Sequence, residues 1–322
     1  MSRGSILLTF APMIRNEGEH TDLLRASGYT IVPVESDAPL TAARLLPHMR
    51  DAVAIVAGGE RIDADLIAAA PRMRVISRHG VGYDNVDIEA ATRARIPVTI
   101  TPGTNHVAVA ELAMAMMIAL ARHIVPMRDA LQRGEWTRNP GIELAGKTLG
   151  IVGLGRIGKA LAVRARAFEM RVLASDPDPD RALAGLDGIE LTDLDALLSA
   201  SDFVSLHAPA TGDGAPLVRK RELDLMKREA YLVNTARGSL IDETALESAL
   251  RAGRIAGAAL DVFSREPPRE CALLTLPNVL ATPHIGGTLE AGRRTALLAT
   301  RNALEVLAGG RCEHTVNPEA YT

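Results

Sequence analysis

Short apolar runs with strand character alternate with helical segments along almost all of this 322-residue chain, and that alternation limits its fold more than any other feature. In the first third the runs are Ser5–Phe10, Thr30–Glu35, Val53–Ala57, Arg74–Ser77 and Val98–Ile100. Helical patterns such as Ala64–Ala69 and Asp87–Ala94 lie between them. A second series follows: Thr148–Val152, Arg171–Ser175, Phe203–Leu206, Tyr231–Asn234, Gly257–Leu260 and Val279–Ala281. Parallel strands need a crossover to reconnect, so this spacing predicts parallel βαβ units. Two such series exceed one sheet of common size. The expected fold is α/β, with two doubly wound parallel-sheet domains and a cleft between them, each able to bury its own core.

The stretch from His106 to His123 is helical in pattern and apolar nearly all round, so it must be covered on several faces. It is expected to connect the domains. It is also expected to exceed the cover its own subunit offers, and therefore to build a homodimer. The last apolar helix, Leu289 to Leu307, ends before Gly309-Gly310 and is expected to pack back on the first domain.

Composition removes several function classes. Thirty-six basic residues face 39 acidic ones, a formal charge of −3, and there is no long basic run to draw in nucleic acid or an anionic membrane. Aromatics at 3% argue against a surface on which bases stack. Cys271 and Cys312 stand far apart with no metal-ligand spacing, so the reading is reduced thiols, no metal and a cytoplasmic protein. No segment has the pattern of a signal peptide or a membrane span.

Gly153-Leu-Gly155-Arg156-Ile157-Gly158 follows the apolar strand and opens a helical pattern through Phe168. In that context Gly153 allows a tight turn, Gly155 lets a pyrophosphate approach the backbone, and Gly158 lets helix and strand pack closely. Asp176 ends the next strand, 18 residues after Gly158, where a carboxylate accepts hydrogen bonds from an adenosine ribose and repels a 2′-phosphate. The loop thus points to NAD and to Rossmann-like domains. The plainer alternative is a glycine-rich turn that binds nothing, with Asp176 only capping Pro177.

Three later segments, Asn234-Thr235-Ala236-Arg237-Gly238, Asp261-Val-Phe-Ser-Arg-Glu266-Pro-Pro and Pro283-His284-Ile-Gly286-Gly287, complete an ordered set with the glycine loop. An earlier one, Arg78-His-Gly-Val81-Gly82-Tyr-Asp-Asn85, supports them. Together they resemble the D-isomer-specific 2-hydroxyacid dehydrogenases, nearest the phosphoglycerate dehydrogenase branch without its regulatory domains, from about Val75 to Gly287. The resemblance implies a discontinuous substrate domain, residues 1–101 with 288–322, and an NAD-binding domain, residues 102–287.

It also implies the chemistry: interconversion of a D-2-hydroxy acid and its 2-oxo acid by hydride transfer. His284 would be the acid/base at the carbonyl oxygen, a task for a group titrating near working pH. Glu266 would fix its tautomer and raise its pKa. Arg237 would bind the carboxylate with a planar fork that never loses its charge. The amides of Val81 and Gly82 would add hydrogen bonds to that carboxylate. Beside the three glycines and Asp176, the cofactor would meet Arg156, Ile157, His207, Pro209, Thr235 and Ala236, and also Asp261, Gly286 and Gly287. The family usually carries a second threonine after the loop at His207, where this chain has Thr211-Gly212-Asp213-Gly214.

Three questions stay open at this level. Arg78 either reaches a distal acidic group on the substrate or braces the loop. The substrate is 3-phosphoglycerate, hydroxypyruvate or glyoxylate, or a bulkier acid. A co-repressor-like protein that senses NAD(H) on the same fold keeps the same triad, so turnover alone separates it from an enzyme.

Overall fold

The computed structural model describes residues 3–36, 40–178, 187–212 and 214–322. It forms two compact units, Met1–Asn105 with Thr288–Thr322, and His106–Gly287.

The first unit carries five parallel strands: β1 (Ser5–Leu8), β2 (Thr30–Pro33), β3 (Ala52–Ala57), β4 (Val75–Arg78) and β5 (Val98–Thr99). Their order across the sheet is β2-β1-β3-β4-β5. Every residue of β3 is buried, as a strand covered on both faces requires. Leu45, Met49, Leu66 and Ile67 cover one face. On the other, Ala296, Ala299, Ala303 and Leu307 of the helix Leu289–Leu307 pack on Ile6, Leu8 and Val53. Strand order reverses between β1 and β3, so the chain leaving these strands at Thr9 and Gly58 meets at a topological switch point, where such sheets place ligands.

The second unit carries seven strands: β6 (Thr148–Val152), β7 (Arg171–Ser175), β8 (Glu190–Leu191), β9 (Phe203–Leu206), β10 (Tyr231–Asn234), β11 (Gly257–Leu260) and β12 (Val279–Ala281). They run in the order β12-β11-β10-β9-β6-β7-β8. All are parallel. The switch point lies between β6 and β9, where Gly153 and His207 leave the sheet. The predicted strands of this unit match the observed ones. β8 was not anticipated, because two half-exposed residues at a sheet edge carry no alternation.

The long apolar helix spans His106–Ala121, and His123, in a left-handed conformation (φ 51°), separates it from a second helix, Ile124–Gln132. It corrects the prediction in one respect, being largely covered within its own unit. Ala110, Ala113, Met114, Met117 and Ala121 join one core with Leu161, Ala162 and Ala165 of the glycine-loop helix and with Leu149, Val233 and Ala259 of the sheet. An all-round apolar pattern here means burial between a neighbouring helix and the strands. Exposed apolar side chains lie at Val107 near the start of this helix and, beyond the break, at Ile124, Val125, Leu131 and Trp136. No single helix among the described residues is long and apolar enough to cross a membrane.

Candidate active site

The glycine loop follows β6 and caps the helix Arg156–Ala167, with Gly155 as its N-cap. Each glycine has its own reason. Gly153 takes φ 91°, and a Cβ there would lie 2.7 Å from the amide nitrogen of Ala208. A Cβ on Gly158 would lie 2.3 Å from the carbonyl oxygen of Gly153. A Cβ on Gly155 would meet nothing within 4 Å. The first and third glycines are therefore needed by the protein itself, while the second fronts open space at a helix N-terminus, where unpaired N–H groups favour an anion. Arg156 is exposed there and Ile157 half-buried.

Asp176 lies one residue beyond β7. Its Oδ2 accepts a hydrogen bond from the amide of Leu154 inside the loop (2.7 Å), and its Oδ1 accepts one from the amide of Asp178 (2.9 Å). Its negative charge is thus fixed against the loop. His207 follows β9, with Nε2 paired to Ser205 Oγ at 2.8 Å. Burial pushes its imidazole down to about 4, so it is neutral at working pH. Its Nδ1, and the Oγ1 of Thr235 at the end of β10, are buried without a protein partner. Orphaned polar atoms of this kind ask for a ligand or water. The residues present therefore fit a bound dinucleotide, with Gly153–Gly158 for its phosphates and Asp176 for its ribose. Pro209 is exposed and Ala236 half-buried on the neighbouring loops. Thr211 holds the carbonyl of Ala215, and Asp213 lies outside the described residues.

Arg237, Glu266 and His284 come from the turns after β10, β11 and β12, three adjacent strands. Asn234, wholly buried at the end of β10, shapes the first turn: its Nδ2 donates to the carbonyl of Arg237 (2.8 Å) and its Oδ1 accepts from the amide of Ala236 (3.0 Å). The Nη1 of Arg237 donates to the carbonyl of Ala236. Gly238 then packs directly on the backbone of Phe263, and Phe263 donates its amide to Glu266 Oε1 at 3.1 Å. The other carboxylate oxygen, Oε2, lies 2.7 Å from Nδ1 of His284.

Asp261 builds the third turn. It is 1% exposed, and its carboxylate accepts from the amides of Ile285 (2.8 Å) and Gly286 (2.9 Å) and from the Thr282 hydroxyl (2.5 Å). Its carbonyl accepts from the amide of His284 at 2.9 Å. Bonds to an ionised acceptor are each worth about 1.5–3 kcal/mol, enough to hold His284 in a left-handed conformation (φ 54°). Three of the bonds to its carboxylate thus come from the histidine loop and the residue that precedes it. Gly286 is buried against it and Gly287 is exposed. The contributions of Asn234 and Thr282 were not anticipated, although both stand within or beside the quoted motifs.

The electrostatics follow from this geometry. The hydrogen bond to Glu266 raises the His284 imidazole above its ordinary value, with burial and the Arg237 charge opposing and the Glu266 and Asp261 charges assisting. Burial alone would raise the Glu266 carboxyl. The His284 bond and charge, the Phe263 amide and the Arg237 guanidinium outweigh it and hold that carboxyl below its usual range. One pair thus combines a proton available on histidine with a carboxylate that stays ionised.

In the first unit, Val81 and Gly82 are half-buried in the loop that follows β4. Arg78, at the end of β4, is 7% exposed; its Nη1 donates to the carbonyl of Gly58 and its Nε to that of Gly82 (3.1 Å).

A glycine cradle at a sheet's switch point, with arginine, glutamate and histidine on the turns after β10, β11 and β12 of the same sheet, is the arrangement of a nicotinamide-nucleotide oxidoreductase. Comparison with known proteins agrees. Residues 114–286 match the D-isomer specific 2-hydroxyacid dehydrogenase, NAD binding domain. The chain is 44% identical over 289 residues to a D-3-phosphoglycerate dehydrogenase of Methanocaldococcus jannaschii, covering 88% of this chain and 55% of that protein. It is 42% identical to a glyoxylate reductase of Thermofilum pendens, covering 90% of this chain and 88% of the relative. Among solved structures, the TT0316 protein of Thermus thermophilus superposes with a TM-score of 0.87 at 38% identity, over 97% of this chain and 99% of that one. The chain belongs to the D-isomer specific 2-hydroxyacid dehydrogenase family, and NAD is the cofactor of its second unit.

Proposed function

We propose that this enzyme reduces a small 2-oxo acid of the glyoxylate or hydroxypyruvate type to its D-2-hydroxy acid, and runs the reverse oxidation at higher pH. The observation that carries the reading is the 2.7 Å bond between His284 Nδ1 and Glu266 Oε2. It commits one ring nitrogen to the carboxylate and leaves Nε2 to face the substrate oxygen. Bound NADH supplies the hydride. The protonated His284 gives its proton to the carbonyl oxygen as the alcohol forms, and Glu266 stabilises the cation until that moment. Arg237 holds the substrate carboxylate and draws charge toward the carbonyl carbon's oxygen. We take the amides of Val81 and Gly82, as the resemblance implies, to be donors to a carboxylate. Asp176 sets the preference for NAD over NADP.

NADH oxidation measured with glyoxylate, hydroxypyruvate, phosphohydroxypyruvate and a bulkier 2-oxo acid tests this directly. Turnover of the small acids supports the reading. NADH binding with no turnover of any of them overturns it in favour of the sensing protein.

We further infer a homodimer of a cytoplasmic protein, formed through the helix Ile124–Gln132 and the segment after it. Leu131 is 58% and Trp136 78% exposed there, beside a groove of about 570 Å³ lined by Leu120, Val125, Tyr231 and Leu280. Exposed large apolar side chains beside such a groove favour a second copy. Light scattering should report about twice the 34.2 kDa chain mass, and an active monomer refutes the dimer. Both cysteines are free thiols, as a reducing compartment allows.

A further inference from the structure

Arg78 is the charged residue that the chemistry above leaves without a task. It stands at the C-terminal end of β4, beside the switch point of the five-stranded sheet. There Gly58 is held through both its N–H and its carbonyl. Its N–H donates to Oε1 of Glu60 at 3.1 Å and to Oγ1 of Thr9 at 3.2 Å, and its carbonyl accepts from Nη1 of Arg78. Glu60 Oε1 in turn accepts from the Thr9 hydroxyl. Arg78 and Glu60 are each 7% exposed. Two buried side chains therefore hold Gly58 by its two backbone polar groups, Glu60 at the N–H and Arg78 at the carbonyl.

From the same guanidinium, Nε reaches forward to the carbonyl of Gly82 at 3.1 Å. Arg78 thus stitches the loop after β3 to the loop after β4. Two further ties hold the second loop: the amide of His79 donates to Ala57 O (2.8 Å), and the His79 ring stacks on Phe10 with centroids 4.2 Å apart. At 7% exposure the guanidinium presents little surface to a ligand, and its Nε and Nη1 are held by the two loop carbonyls.

We propose that Arg78 is a positioning residue that sets the Val81–Gly82 amides for every 2-oxo acid this enzyme uses, and is not a receptor for a distal acidic group on one of them. The proposal rests on the reading that those amides hold the substrate carboxylate.

The two roles separate in kinetics, with glyoxylate (no distal group) and phosphohydroxypyruvate (a distal dianion) as the pair of substrates. Under the proposal Arg78→Met raises KM for both by about tenfold or more and by similar factors, the scale of one lost positioning contact, while kcat and NADH affinity stay within about threefold. Arg78→Lys, which can bond one carbonyl but not fork to two, falls between Arg78→Met and wild type. A loss confined to phosphohydroxypyruvate makes Arg78 a receptor and overturns the proposal, as do unchanged parameters for both acids. Equal loss of NADH binding also overturns it, since that signals general damage. If Arg78→Met does not fold, Arg78→Lys carries the same comparison alone. A wild type that uses glyoxylate but no acidic homologue supports the proposal, provided the variants still raise the glyoxylate KM. A wild type inert toward all 2-oxo acids instead fails the functional reading itself.

Discussion

A methyl group built on Gly238 would lie 1.8 Å from the carbonyl carbon of Phe263. The turn that carries Arg237 and the turn that carries Glu266 are therefore in backbone contact, and their side chains share one electrostatic neighbourhood. Gly238→Ala should push the turns apart. We expect a loss of about 3 kcal/mol or more, the size typical of backbone overpacking with nowhere to relax. Chemical denaturation beside steady-state kinetics checks it: stability and KM should both worsen, and a variant that matches wild type would disprove the close contact.

The acid/base pair sets the pH profile. Reduction of the 2-oxo acid needs His284 protonated, so kcat/KM should fall as pH rises through its elevated pKa, while the reverse oxidation should rise. Glu266→Gln removes the largest cause of that elevation, so both limbs should move to lower pH. A profile that stays in place rules out the pairing. His284→Gln should cost at least about a hundredfold in turnover with little change in NADH binding.

Cofactor choice tests Asp176. A carboxylate beside a 2′-phosphate costs a few kcal/mol, so wild type should favour NADH over NADPH by about a hundredfold. Asp176→Ser should shrink that ratio to within about tenfold. It should also weaken NADH itself, because the Leu154 amide loses its acceptor. A ratio unchanged by the substitution would take Asp176 out of the ribose site.

Two histidines with buried ring nitrogens, His79 and His207, predict an acid-sensitive fold. Burial lowers both His79 and His207 from 6.5 to about 4. In the unfolded chain they take up protons already below pH 6.5, whereas the folded protein does not until near 4. Stability should thus decline as pH falls across that window, by on the order of 1–3 kcal/mol per group. Denaturation at pH 7 and pH 5 measures it. His207→Asn should flatten the decline, and an equal decline in that variant would show that His207 ionises freely.

Much of this was legible because the determinants are local. A buried parallel strand is a short apolar run bounded by turn residues, and the second sheet reads that way at Thr148–Val152 and Phe203–Leu206. The glycine loop announces itself by its spacing after a strand, although Gly153 answers to Ala208, 55 residues later. What stayed hidden depends on partners far along the chain. Nothing near Asp261 shows that its oxygens go to Ile285 and Gly286, 24 and 25 residues later. Arg78 read equally well as receptor or brace, because only the fold brings Gly58, 20 residues earlier, to its guanidinium.

His284 sits at φ 54°, a conformation that a side chain with a Cβ adopts at a cost of about 1 kcal/mol and that glycine or asparagine accepts readily. On the function proposed above, the proton donor therefore stands where the backbone would rather have another residue. Selection for robustness alone would erase the histidine: His284→Gly or His284→Asn should match or exceed wild type in melting temperature while turnover collapses. A lower melting point for both variants would mean that the imidazole anchors its loop instead of burdening it. The tension is local, confined to one turn, and it sets how far this site can be hardened before it stops working.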